Sequence, residues 1–178
     1  PIEFDRVLRI ALEVCAGLSV AHENRVIHRD IKPHNILLTD RDSVKIADFG
    51  IARAATSSSV ATAMIGTFYY MSPEQWEGTR IDGRSDIYSL GLMLYQMLTG
   101  QLPFQGSAAE LFRQHHNEPL PKIPSSFNVP RARESVVRKA TEKNPSARYQ
   151  TAAEMADAIR QAVAPRPEPP RRPPTPPR

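Results

Sequence analysis

The sequence predicts a mainly α-helical domain carrying short β-hairpins, and three observations lead there. Apolar residues recur at helical spacing over long stretches, one run of a dozen residues is apolar on nearly every face, and the β-favouring runs are triplets set beside turns. At 178 residues and 40% hydrophobic side chains, the chain is long enough to bury one sizeable core. A single Cys15 excludes a disulfide framework and a cysteine-paired zinc site, so a reducing compartment is expected and the localisation is read as cytoplasmic. No apolar run reaches the roughly 18 residues of a membrane span, and the start of the chain has no secretory-leader pattern.

Taken in order, Phe4, Val7, Leu8, Ala11, Cys15 and Leu18, widened by Ile10 and Val14, mark a long amphipathic helix from residue 4 to about 23. Val26-Ile27, Ile36-Leu37-Leu38 and Val44-Lys45-Ile46 read as short β elements, the last two joined by a Thr39-Asp40-Arg41-Asp42 turn. Residues 57–62 are small and polar and read as a loop. Residues 87–98 are apolar all round except Ser89 and Gln96, which predicts a helix enclosed by protein and stopped by Gly100 and Pro103. Ser107 with Glu110, and Thr151 with Glu154, have capping-box spacing and begin two further helices. Another is expected over 131–143, ahead of an Asn144-Pro145 stop.

Residues 1–163 therefore form one domain and 164–178 a Pro/Arg-rich disordered tail. The tail holds eight of the 17 prolines, and its four arginines against Glu168 carry most of the net charge of +4, so no nucleic-acid-binding face is expected. Arg171 with Pro174 and Pro177, and Pro173 with Pro176 and Arg178, match spacings used by ligands of proline-recognising domains. A solvated linker is the more ordinary reading of the same composition.

The chemistry concentrates in His28-Arg29-Asp30-Ile31-Lys32-Pro33-His34-Asn35 and in Asp48-Phe49-Gly50. Together they supply two carboxylates, an amide, an ammonium and a guanidinium beside short strands, with Gly50 free to take backbone conformations that other residues resist. Hard oxygen ligands of this kind suit Mg²⁺ and phosphate. The two segments resemble the catalytic loop and the metal-binding turn of the eukaryotic-type (Hanks-type) serine/threonine protein kinases.

That resemblance implies a protein-kinase-like C-lobe that transfers the γ-phosphoryl group of ATP to Ser or Thr hydroxyls of protein substrates, with Mg²⁺. On it, Asp30 orients or deprotonates the acceptor hydroxyl, Lys32 counters charge on the phosphoryl group, and Asn35 and Asp48 hold Mg²⁺. Lys32 and Thr67 are typical of serine/threonine members, and Arg29 implies regulation by phosphorylation in the preceding loop, at Thr62 or at Thr56 and Ser57 to Ser59. Gly66-Thr67 and Ser72-Pro73-Glu74 resemble the end of the activation segment, with Ser72 where Ala is usual. Five residues are structural on the same reading: Gly50 gives the metal-binding turn its backbone freedom, His28 braces its loop, Asp86 holds that loop through its backbone, and Glu74 pairs with Arg148. The resemblance also implies a linker to a membrane helix in bacterial receptor-type members.

The family's Gly-rich phosphate loop, strand Lys and helix Glu have no counterpart ahead of His28, so the resemblance covers only the larger lobe, and the isolated chain is expected to show little activity without the N-lobe. Two alternatives stand beside it: a noncatalytic lobe that binds or scaffolds partners, and a small-molecule phosphotransferase of the same fold, which commonly lacks the His-Arg-Asp-x-Lys-Pro run. Among the remaining residues, His22, His34, His115 and His116 have no metal-ligand spacing and read as surface or packing residues, Cys15 as inert core, and Trp76 as packing near the activation segment's end.

Overall fold

The apolar stripe at the start of the chain forms α1 (Phe4–Glu23), which buries Val7, Leu8, Ile10, Ala11, Val14, Cys15, Leu18 and Ala21. The protein is described here by a computed structural model over residues 4–39, 43–49 and 66–163. Residues 50–65, with Gly50, Thr62 and the other candidate phosphorylation positions, and the tail from 164 onward lie outside the described residues.

After α1 the chain passes a 3-10 turn (Pro33–Asn35) and enters an antiparallel hairpin of β1 (Ile36–Leu38) and β2 (Val44–Ile46), with Ile36 opposite Ile46 and Leu38 opposite Val44. Glu13 of α1 accepts a hydrogen bond from Val44 N at 2.7 Å and ties the hairpin to the helix. The expected β element at Val26-Ile27 does not form. Val26 N bonds Ala21 O at 2.9 Å in the turn that closes α1, and no strand among the described residues pairs with it.

The centre of the molecule is α3 (Gly83–Thr99), which follows the short α2 (Pro73–Glu77). It begins four residues ahead of the apolar run that signals it, because Asp82 caps it by accepting from Arg84 N at 3.0 Å and its first turn buries the polar Ser85 and Asp86. Gly100, at φ +72°, ends it by donating to Gln96 O at 2.7 Å, a left-handed cap that favours glycine. Around α3 stand α1, α5 (Arg131–Ala140) and α6 (Ala152–Val163). The outer helix α4 (Ala108–Asn117) starts at the Ser107–Glu110 capping box, where Glu110 accepts from Ser107 N at 2.7 Å. No described helix is long and apolar enough to cross a membrane.

Two ends differ from the sequence pattern. At α6, Thr151 accepts from Glu154 N at 3.0 Å, but Glu154 reaches back to Gln150 N at 2.7 Å, one residue earlier than a capping box has it. Helix α5 stops at Ala140 instead of running to Lys143. The carbonyls of Glu142 and Lys143 are taken by the buried Arg148, at 2.7 and 2.9 Å, and are directed to that guanidinium instead of along a helix axis.

Candidate active site

Arg29 sets the site's geometry through its backbone. Its φ of +67° is uncommon for a residue with a Cβ, so the surrounding structure must hold it. Two helices do. Asp86, fully buried in α3, accepts from Arg29 N at 2.7 Å and from His28 N at 2.9 Å. Gln75 of α2 donates from Nε2 to Arg29 O at 2.8 Å.

His28, also fully buried, uses both ring nitrogens: Nδ1 accepts from Asp30 N at 3.2 Å, which leaves Nε2 to donate to Ala47 O at 2.9 Å. Its ring lies against Phe49, with centroids 4.8 Å apart. The loop is thereby fastened to the exit of β2, and a second bond, Ala47 N to Asn35 O at 2.8 Å, ties the residue before Asp48 to Asn35.

The Asp30 carboxylate receives three donors: Lys32 Nζ at 2.9 Å, Thr67 Oγ1 at 3.2 Å and Asn35 Nδ2 at 3.1 Å. Lys32 also donates to Thr67 Oγ1 at 2.9 Å, and Asn35 Nδ2 to Asp30 O at 2.7 Å. Asp30, Lys32, Asn35 and Thr67 thus form one contiguous polar cluster, drawn from the turn after α1 and from the chain leading into α2. An acid oriented by three donors, with a primary ammonium beside it, is suited to accept a proton from a hydroxyl while a cation faces an anionic group.

The donor set fits Mg²⁺, which prefers oxygen ligands. Both Asn35 bonds use Nδ2, so its Oδ1 accepts nothing from the described residues, and the Asp48 carboxylate is exposed on a residue with φ +53°.

Glu74 and Arg148 sit apart from this cluster as a buried pair, with Arg148 Nη1 and Nη2 donating to Glu74 Oε1 and Oε2 at 2.7 and 2.9 Å. Burial opposes ionisation of Glu74, but the Arg148 hydrogen bonds and charge, with a Ser85 hydroxyl at 2.6 Å, outweigh it and hold the carboxyl below the usual range. Burial pushes the Cys15 thiol up to about 12, so that sulfur stays protonated in the core.

Sequence reasoning missed three contributors. His22 is not a plain surface or packing residue: its Nε2 lies 2.8 Å from Asp86 Oδ2 and gives that buried carboxylate a further donor. Its offset of four from Leu18 places it on the buried stripe of α1, a signal that was available. Gln75 and Ser85 carry no such signal, since their partners, Arg29 O and Glu74, are set by tertiary placement.

Comparison with known proteins is specific about the class to which this fold belongs. The profile of the protein kinase domain matches residues 2–164. Serine/threonine-protein kinase PknB of Mycobacterium leprae is 45% identical over 177 residues, covering 96% of this chain and 28% of that protein. PknB of Mycobacterium tuberculosis is 44% identical over 167 residues, covering 90% and 27%. A probable serine/threonine-protein kinase of Clostridium acetobutylicum is 39% identical over 162 residues, covering 89% and 25%. The chain belongs to the eukaryotic-type serine/threonine protein kinase family. It spans little more than a quarter of the length of these curated relatives.

Proposed function

We propose that this chain is the larger, helical lobe of a cytoplasmic serine/threonine protein kinase and carries its phosphoryl-transfer residues. The observation that carries the reading is the cluster in which Asp30 is oriented by Lys32, Asn35 and Thr67. In this reading Asp30 orients the Ser or Thr hydroxyl of a protein substrate and takes its proton, and Lys32 turns toward the phosphoryl oxygens as Asp30 engages the hydroxyl. Asn35 Oδ1 and Asp48 hold Mg²⁺, which neutralises phosphate charge when bound with ATP. Thr67, hydrogen-bonded to both Asp30 and Lys32, lines the acceptor side. The grip on the ATP phosphates comes from a β-rich lobe elsewhere in the full-length protein, and phosphorylation near Thr62 tunes the segment that precedes Thr67.

The test is transfer of label from γ-labelled ATP by the full-length protein, followed by phosphoamino-acid analysis. Label on Ser and Thr that disappears in Asp48→Ala agrees with the reading. A wild-type protein that transfers no label under any Mg²⁺ condition, while still holding a partner protein, would establish the scaffold alternative instead.

A further inference from the structure

Gln75 links the helix that follows the substrate-side segment to the loop bearing Asp30, and its side-chain amide faces two ways. Its Oε1 accepts from Ser72 N at 3.1 Å and from Ser72 Oγ at 3.0 Å, closing the N-terminal end of α2. Its Nε2 donates to Arg29 O at 2.8 Å. The orientation is forced, because a backbone N–H only donates and a backbone carbonyl only accepts.

The peptide that Gln75 holds at its oxygen is the one joining Arg29 to Asp30. The same peptide is held at its nitrogen by His28 Nδ1, 3.2 Å from Asp30 N. The preceding peptide is held by Asp86 Oδ1, 2.7 Å from Arg29 N. Arg29 is therefore clamped on both sides at a φ of +67°, a conformation it would leave if one side were released. Asp86 anchors it to the central helix, whereas Gln75 anchors it to α2. Ser72, where the family usually has Ala, supplies the hydroxyl that fixes Gln75 in turn.

We propose that Gln75 is a positioning residue: it makes the placement of the Asp30 carboxylate depend on the placement of α2, and so couples the end of the substrate-side segment to the reacting acid. The inference rests on the kinase reading of the site. It also separates two roles of one side chain, capping α2 and holding the Arg29 carbonyl, and substitutions tell them apart. Gln75→Glu keeps an acceptor for Ser72, preserving a Ser-x-x-Glu capping arrangement, but sets a carboxylate oxygen against the Arg29 carbonyl. Gln75→Leu removes both interactions.

In the full-length protein, Gln75→Glu is expected to melt with the wild type and to keep its KM for ATP, while kcat falls about 10- to 100-fold, the scale of a small misplacement of a reacting group. Backbone amide exchange over residues 28–32 accelerates in the same variant, while exchange over α2 does not. Gln75→Leu loses protection in both places. A Gln75→Glu protein with wild-type kcat overturns the inference. If the wild type itself transfers no phosphoryl group, the kinase reading fails separately, and unchanged exchange over 28–32 in Gln75→Glu then overturns the positioning role by itself.

Discussion

Arg148 donates all five of its guanidinium N–H bonds inside the protein: to Glu74 twice and to the carbonyls of Arg84, Glu142 and Lys143. It also lies over the Tyr88 ring, with Cζ 4.7 Å from the centroid. Removing one partner leaves an uncompensated buried charge, so Arg148→Met is expected to lose about 3–5 kcal/mol in urea unfolding. The paired change Arg148→Met with Glu74→Leu recovers part of that loss, because no charge is then stranded. His115, fully buried with Nδ1 3.0 Å from the Tyr88 hydroxyl, has its pKa pushed down to about 3 by burial and by the nearby Lys143 charge. The unfolded chain binds a proton there near pH 6.5 and the folded chain does not, so the stability from the neutral ring is complete above about 6.5 and declines as pH falls toward 3. Urea midpoints at pH 7 and pH 5 are expected to differ more for the wild type than for His115→Gln. The Glu74 contribution goes in a lower window, below the ordinary carboxylate range, as pH falls through its depressed pKa.

Helices α3 and α5 approach closely at Gly91 of α3, where an added Cβ would lie 2.8 Å from the Ala140 Cβ of α5 and 2.8 Å from Thr141 Cγ2. Both neighbours are buried and the position is a helix interior, so Gly91→Val is expected to cost about 1–3 kcal/mol by overpacking, measured by thermal melting, with Ala140→Gly restoring part of it. Elements of this kind were legible to different depths. Helix α1 follows directly from its apolar spacing, and α4 from its capping box, because both signals are local. The start of α3 and the end of α5 were not, since Asp86 and Arg148 are polar residues that these segments bury, and hydropathy counts them against burial. Val26-Ile27 shows the reverse error: two β-branched residues promise a strand, but no neighbour offers a ladder.

Across the whole molecule, the candidate site residues could be picked out because Asp30, Lys32 and Asn35 stand close together in sequence and Asp48 follows after one hairpin. Of the scaffold that orients them, Asp86 and Thr67 were legible only through the family resemblance, and His22 and Gln75 were not. Gln75, Asp86 and Thr67 meet the loop from α2, α3 and the chain before α2, His22 of α1 bonds Asp86, and no spacing rule encodes those approaches. Gathering them is the work of the helical core, which sets α3 against α1 and thereby brings Asp86 under the loop. In the proposed function this scaffold aims Asp30 at an acceptor hydroxyl. Single-turnover phosphoryl transfer to a Ser/Thr substrate by the full-length protein at saturating Mg-ATP tests it most directly. Asp30→Asn is predicted to slow the transfer about 10²–10⁴-fold with nucleotide affinity unchanged. An Asp30→Asn protein that transfers at the wild-type rate would show that Asp30 does not act on the acceptor hydroxyl.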